Sequence, residues 1–227
     1  MFLWHGSERI LPKPVWGKGK PYNDYGTGFY CTESRDMAME WAVQRNHDGY
    51  ANRYLLHEEE LSILYLNRDA WCILHWLAVL LENRTFETRA PLAAEAKEYL
   101  ITHFMPPYKD YDLIVGYQAD DSYFSFAQDF LNGTISVRQL RNAMHLGRLG
   151  EQIVLKSKKA FEHLQFLNYE IADTQIWYTR RQQRDKSARQ NYFDLERNRR
   201  RKDDLYILQI IDEEVTADDP RLRSALP

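Results

Sequence analysis

The chain has 227 residues, of which 44% are hydrophobic and 28% are charged, and its formal net charge is −3. This balance excludes a disordered or low-complexity chain, and it excludes a protein that binds polyanions through its overall charge. The two cysteines, Cys31 and Cys72, have no Cys or His partners at zinc-ligand spacing, so we expect reduced thiols and no bound metal.

The longest apolar stretch, over residues 70–81, is interrupted by His75. It is shorter than the roughly 20 residues that a membrane span requires. Residues 1–5 do not form the basic region and apolar stretch of a signal peptide. We therefore expect no membrane contact, and either a cytoplasmic protein or an effector that is secreted without a cleavable signal.

The spacing of apolar residues, glycines and prolines predicts a mixture of short strands and helices. In chain order, the predicted elements are a strand over 1–5 that ends at Gly6-Ser7, a loop over 12–28, a strand over 29–32, a helix over 36–45 capped by Ser34, a strand over 61–66, helices over 70–83 and 91–103, a strand over 112–116, helices over 122–131 and 136–145, a strand over 152–155, and a helix capped by Ser157 that runs to Leu164. Because βαβ alternation is not regular, the pattern favours an α+β fold over a doubly wound sheet.

The C-terminal part has a different charge pattern. Residues 177–202 contain ten Lys or Arg and three Asp or Glu, whereas residues 203–219 contain seven acids and no Lys or Arg. One interpretation is a solvated helix that packs through Tyr192, Phe193 and Leu195. The alternative is a contact with nucleic acid or with an acidic partner. We predict a charged helical extension over residues 171–227.

The usual nucleotide-binding, hydrolase and zinc-binding signatures are absent from the sequence. The clearest motif instead lies in two N-terminal segments. The segments are Leu3-Trp4-His5-Gly6-Ser7 and Asp24-Tyr25-Gly26-Thr27-Gly28-Phe29-Tyr30-Cys31-Thr32, and Trp41 follows on the next predicted helix. In this order they resemble the opening of ADP-ribosyltransferases of the diphtheria-toxin and poly-ADP-ribose-polymerase type. That family has a (Tyr/Trp)-His-Gly-(Ser/Thr) strand, a loop, Gly-x-Gly-(Ile/Phe)-Tyr, and a helix with an aromatic residue.

The resemblance is closer still to a bacterial family of transferase-like proteins and covers residues 2–170. Its further matches are Ala38, Trp41-Ala42, Tyr111-Asp112, Gly116, Ala119-Asp120-Asp121 and Gln152. It implies an ADP-ribosyltransferase-like domain over 1–170, with a split β-sheet core and a helical insertion over about 68–145.

The resemblance implies a binding site for NAD. His5 is then expected to reach an adenosine-ribose hydroxyl, and the backbone of Gly6 to pair with the nicotinamide amide, with Ser7 helping to hold it. Tyr30 and Trp41 are expected to stack on the cationic nicotinamide ring. The structural alternatives are a strand-end histidine bonded to the backbone and ordinary core packing of the two aromatic residues.

The loop before Tyr30 adds further candidates. We interpret Gly26 and Gly28 as backbone requirements, either a positive φ or a close approach to a ligand. Asp24 is either a turn residue or a site residue.

The position that carries a catalytic Glu in the polymerase-type enzymes has two candidates here, Glu151 and Gln152. Neighbouring residues of a strand point to opposite faces, so only one of them faces the ligand, and we favour Gln152. A neutral amide hydrogen-bonds a hydroxyl but does not balance a full positive charge, so we expect transfer of one ADP-ribose or no catalysis. Asp120 and Asp121 either activate an acceptor and balance the ribosyl cation, or cap the helix near Ser122.

These expectations combine into a functional hypothesis. It is an NAD-dependent mono-ADP-ribosyltransferase that modifies a macromolecule, with a protein acceptor favoured over a nucleic-acid acceptor. By analogy with such bacterial proteins, it is a toxin or effector with an antitoxin-like partner. NAD is then a substrate, and no metal is required. The alternative is a catalytically inactive protein of this fold that binds NAD or ADP-ribose, or that acts as an interaction module.

Overall fold

The computed structural model describes residues 1–68, 71–119, 121–146 and 150–223. It has two sheets and several helices, which confirms the predicted α+β class. The strands are β1 (Phe2–Ser7), β2 (Phe29–Cys31), β3 (Gly49–Leu56), β4 (Ile63–Tyr65), β5 (Leu113–Tyr117), β6 (Glu151–Leu155) and β7 (Leu164–Ala172). The helices are α1 (Arg35–Ala42), α2 (Ile73–Asn83), α3 (Pro91–Phe104), α4 (Asp121–Leu131), α5 (Val137–Ala143), α6 (Lys158–Glu162), α7 (Thr174–Asn191), α8 (Ile207–Asp212) and α9 (Pro220–Arg223). A 3-10 turn spans Tyr108–Asp110, and a π-helical turn spans Tyr192–Arg197.

The two sheets meet near the N-terminus. One sheet has the strand order β1-β3-β7, and the other has the order β2-β6-β5-β4. Among the described residues, β4 and β5 pair in parallel and the other strand pairs are antiparallel. Trp4 of β1 and Thr32, just after β2, exchange both backbone hydrogen bonds, at 2.8 and 2.9 Å. This crossing places His5 and Gly6 beside the first residues of β2.

Helix α1 packs directly on the first sheet. Its predicted cap is confirmed, because the Ser34 hydroxyl accepts a hydrogen bond from the Met37 amide at 3.2 Å. Gly6 and Gly49 allow the close approach: a Cβ atom on Gly6 would meet the Ala38 carbonyl oxygen and lie 2.7 Å from the Ala42 nitrogen. The glycines of β1 and β3 therefore set the distance between the sheet and the helix.

The main hydrophobic core lies under helices α2 to α5. The segment 68–145, predicted as a helical insertion, also contains β5, which lies between β6 and β4 in the second sheet. This segment therefore contributes a central strand as well as helices. The C-terminal residues Tyr192, Ile207 and Ile210 are buried in the same core, so the charged extension packs against the rest of the molecule. Among the described helices, none is long and apolar enough to span a membrane.

Candidate functional site

A cleft of about 910 Å³ opens where the two sheets meet. It is bounded by the ends of β1 and β2, by α1, by α7 and by the loop over residues 12–28, which we call the cleft loop. Its lining includes the following residues that the sequence singled out: His5, Gly6, Ser7, Gly28, Tyr30 and Trp41. The fold thus brings residues from both N-terminal motifs and from the following helix to one surface.

His5 is held in a fixed orientation at the base of the cleft. Its Nδ1–H donates a hydrogen bond to the Tyr30 carbonyl oxygen at 2.7 Å, and its ring centroid lies 4.3 Å from that of Phe29. Burial lowers the pKa of His5, although the bond to Tyr30 opposes this effect, so the ring is neutral at neutral pH. With Nδ1 protonated, Nε2 is a hydrogen-bond acceptor. His5 therefore makes the backbone hydrogen bond that the structural alternative predicts, and it also lines the cleft.

Tyr30 contributes a ring and not an acid or a base. Its hydroxyl donates to the Gly26 carbonyl oxygen at 2.6 Å and accepts from the Tyr25 amide at 3.0 Å. Burial raises the pKa of Tyr30 well above its usual value. Trp41, on α1, has a buried Nε1 that finds no hydrogen-bond partner among the described residues. Tyr30 and Trp41 therefore both line the cleft, whereas the indole N–H of Trp41 is buried.

The glycines of the motifs have backbone explanations. Gly26 has a φ of 73°, and a Cβ on Gly28 would lie 2.6 Å from Val154 Cγ1 and 3.0 Å from the Leu155 carbonyl oxygen, which confirms the predicted backbone requirements. Gly6 must be glycine because α1 packs against it, whether or not a ligand binds there.

The hydroxyl of Ser7 and the carboxylate of Asp24 are both bound by the protein. The Ser7 hydroxyl donates to the Arg9 carbonyl oxygen at 2.6 Å and accepts from the Asn52 side chain at 3.1 Å. Asp24 is buried, and its carboxylate accepts from the Ala119 amide at 2.9 Å and lies 3.6 Å from Arg84. The hydrogen bond between Asp24 and Ala119 joins the cleft loop to the segment after β5. Asp24 thus has structural contacts, and its role as a site residue stays a prediction.

The register of the second sheet separates the two candidates on β6. Tyr30 lies opposite Val154, so Val154 and Gln152 share the face of Tyr30, whereas Glu151 points to the other face. There the Glu151 carboxylate accepts a hydrogen bond from the Asn67 side chain. Gln152 is 8% exposed, and its Oε1 has no partner in the described part of the chain.

The acidic pair after β5 is only partly covered by the structure. Asp120 lies outside the described residues, and Asp121 is the first residue of α4. The choice between a helix cap and a catalytic role therefore stays a prediction.

Gln118 is a cleft residue that the sequence did not indicate. It follows β5, two residues after Gly116, which is the register partner of Gln152. It lines the cleft at 6% exposure, and no described group hydrogen-bonds its Oε1. A lone glutamine after a strand has no distinguishing sequence signal, so only the pairing register reveals it.

The cleft is cationic although the chain is not. Its charged lining residues are Arg9, Lys13, Lys18, Lys20, Arg181 and Arg184, with Glu8 as the acid among them. Arg181 and Arg184 come from α7, so the basic run of the tail supplies one wall. Nε of Arg184 lies 2.8 Å from a carboxylate oxygen of Glu40, which fixes α7 against α1. This charge favours an anionic ligand.

Comparison with known proteins identifies a family without a described activity. The model of a family described as "Protein of unknown function (DUF3990)" matches residues 1–166. No curated protein and no solved structure matches the chain. The matched segment includes β1, β2, α1 and β6, which carry the motif residues of the cleft, whereas α7 lies beyond it. Because the family model covers most of the sequence, the chain belongs to the DUF3990 family.

Proposed function

We propose that this protein is an NAD-dependent mono-ADP-ribosyltransferase that transfers one ADP-ribose to a macromolecular acceptor. The observation that carries the proposal is the convergence of His5, Tyr30 and Trp41 on one cationic cleft. Its volume of about 910 Å³ suits a dinucleotide, since small-molecule sites span roughly 300–1,000 Å³. The basic residues of the rim and of α7 match the negative charge of the diphosphate.

In this proposal the nicotinamide ring binds against Tyr30 and Trp41. A cation over each aromatic face contributes on the order of 1–2 kcal/mol when desolvated. Nε2 of His5 accepts a hydrogen bond from a ribose hydroxyl, and its neutral state makes that role available at physiological pH.

The reaction breaks the bond between the nicotinamide nitrogen and the ribose carbon. Nicotinamide leaves with the bonding electron pair, positive charge develops on the ribose, and the acceptor nucleophile forms the new bond and releases its proton to solvent. Groups that stabilise this charge accelerate the step. Gln152 lies on the face of Tyr30 with an unpaired oxygen, so it is the residue we assign to the ribose. Its neutral amide supports a single transfer and not chain elongation.

One observation favours the second candidate function, an inactive protein that binds NAD or ADP-ribose. Glu151, the carboxylate of β6, points away from the face of Tyr30 and is bound by Asn67. A site without a carboxylate there retains the stacking rings and the cationic wall, which are sufficient for binding.

Adjacent residues on β6 provide the test. We would measure nicotinamide release from labelled NAD by wild type, Gln152→Ala and Glu151→Ala, with thermal melting of each variant as a control for folding. We expect at least a tenfold loss of release for Gln152→Ala and no loss for Glu151→Ala, since only Gln152 shares the face of Tyr30. Equal rates in all three proteins contradict the assignment. NAD that raises the melting temperature without any release supports the binding protein.

A further inference from the structure

The outer wall of the cleft combines exposed aromatic rings with positive charge. The cleft loop carries Lys13, Lys18 and Lys20, with Trp16 and Tyr22 between and after them, and residues 10–23 contain no acid. The Trp16 ring is 54% exposed and the Tyr22 ring is 76% exposed. The three lysines line the mouth of the cleft and are also exposed. Large aromatic side chains left in solvent beside unpaired charge mark a binding surface more often than a structural one.

The backbone and side-chain contacts hold this loop in place. Trp16 Nε1 donates to the Lys156 carbonyl oxygen at 3.0 Å, so its polar edge is satisfied and its faces stay open. The Lys156 ammonium donates to the Tyr25 and Thr27 carbonyl oxygens, both at 2.6 Å. Arg84 donates to the Tyr22 carbonyl oxygen at 3.2 Å. Because the loop is fixed before any partner arrives, it loses little conformational entropy on binding.

This combination indicates the chemistry of the partner. Surfaces that bind single-stranded nucleic acid combine cations that follow the backbone with aromatic rings on which bases stack. Three lysines against the single acid Glu8 of the cleft lining leave an excess of positive charge that repels basic peptides and attracts phosphates, and the exposed side chains of Trp16 and Tyr22 suit unstacked bases. A duplex keeps its bases stacked, so these rings favour a single strand. The net charge of −3 for the whole chain makes this local excess of cations a specific feature of the cleft.

We infer that the acceptor of the proposed reaction is a single-stranded nucleic acid, which docks on the cleft loop beside the NAD site. The inference rests on the proposed function for the transfer step but not for the docking step. In the transfer, the nicotinamide–ribose bond breaks, nicotinamide leaves with the electron pair, and a nitrogen or hydroxyl oxygen of the nucleic acid bonds to the ribose carbon. The proton of that nitrogen or hydroxyl passes to solvent.

Docking is tested in the absence of NAD. Fluorescence anisotropy would follow labelled single-stranded RNA and DNA oligonucleotides of mixed sequence with the full chain, over a range of salt concentrations. We expect the double variant Lys18→Glu/Lys20→Glu to weaken binding at least tenfold and to lower the slope of log affinity against log salt by about 1.4, since each phosphate contact to a single strand contributes about 0.7. Trp16→Ala is expected to weaken binding about fivefold or more through the loss of one stacked base.

The matched control is Arg89→Glu/Lys97→Glu, which changes the net charge equally at and just before helix α3, at residues that do not line the cleft. It is expected to bind within twofold of wild type. No binding of either oligonucleotide at low salt, or the same loss in the control as in the loop variant, overturns the inference.

A second experiment identifies the modified molecule. Labelled NAD would be supplied with the oligonucleotide and, separately, with a cell lysate before and after nuclease treatment. We expect label on the oligonucleotide and on nuclease-sensitive material. Label on protein bands alone overturns the nucleic-acid acceptor while keeping the transferase. Oligonucleotide binding without any nicotinamide release overturns the transferase while keeping the docking surface, so the two failures are distinguishable.

Discussion

Gly6→Ala tests whether the motif His5-Gly6 has a structural role independent of any ligand. A Cβ atom at this position would meet the Ala38 carbonyl oxygen, and it would lie 2.7 Å from the Ala42 nitrogen and 2.8 Å from Trp41 Cβ. Two of these three atoms belong to the backbone of α1, so no rotamer change relieves the clash and the whole helix must move. Overpacking of this kind typically costs about 1–3 kcal/mol, and the backbone contacts place this case at the upper end, about 2–3 kcal/mol.

Urea unfolding followed by tryptophan fluorescence measures this loss. The control is Gly150→Ala, because Gly150 has a φ of 71° and a Cβ there would meet nothing within 4 Å among the described residues. Its cost is the left-handed backbone alone, about 1–2 kcal/mol. A Gly6→Ala protein within about 0.5 kcal/mol of wild type would refute the packing argument. If the loss is found, reduced activity of this variant says nothing about a bond between Gly6 and nicotinamide.

Three further predictions concern one buried ion pair of the core and two contacts of the cleft. Asp204→Asn removes the negative charge 2.7 Å from the Arg138 guanidinium, which keeps its hydrogen bond to the Arg199 carbonyl oxygen, so the free energy of unfolding is expected to fall by about 3 kcal/mol, the lower end of the range for a broken buried pair, in urea titrations at pH 7. Burial alone would raise the pKa of Asp204, but its hydrogen bonds from Arg138 and neighbouring groups lower it, so the wild type is expected to lose this contribution as the pH falls below about 4. Lys156→Met removes the donor that holds the cleft loop, and faster cleavage within residues 12–28 in limited proteolysis is the expected result; an unchanged cleavage rate contradicts it. Arg181→Glu is expected to reduce the rise in melting temperature that ADP-ribose produces, because Arg181 lines the cleft. Arg180 lies outside the cleft beside Asp36, so Arg180→Glu is expected to leave that rise unchanged.

Local sequence signals predicted those elements whose ends are marked by the chain itself. Ser157 accepts a hydrogen bond from the Ala160 amide at 3.0 Å, and Ser34 makes the same contact with Met37, as the capping pattern predicted. The strands β2, β5 and β6 are short apolar segments bounded by glycine or polar residues. Here the local sequence and the fold favour the same structure, so sequence analysis was sufficient.

The strands β3 and β7 were missed because their polar residues depend on distant partners. β3 contains Asn52, which is fully buried because its side chain bonds the backbone of residues near the end of β1. Opposite Arg53 and Tyr54 the pairing skips Leu167, so an extra residue breaks the alternation that would mark β7 as a strand. β7 lies at the edge of its sheet and exposes much of its length, so its sequence shows no apolar face.

The candidate site was predicted as far as it is contiguous in sequence. His5, Tyr30 and Trp41 lie in or just after two short motifs, and all three line the cleft. Gln118 and Arg181 reach it only through strand pairing and helix packing. A single sequence carries no signal for either, because a glutamine after a strand and an arginine in a basic helix are common on protein surfaces.

The tail beyond the family match completes the site and does not act as a separate appendage. Tyr192 stacks on Phe126 with ring centroids 4.0 Å apart, and its hydroxyl donates to Asp129 at 2.7 Å. With the Arg184–Glu40 pair, these contacts fix α7 along the cleft. Residues 1–42 therefore supply the aromatic rings of the cleft and four of its cations, whereas α7 adds Arg181 and Arg184. A chain with residues 1–42 unchanged and a different tail would keep the aromatic rings and four of the six cations of the cleft, and would lose only the charge that Arg181 and Arg184 contribute.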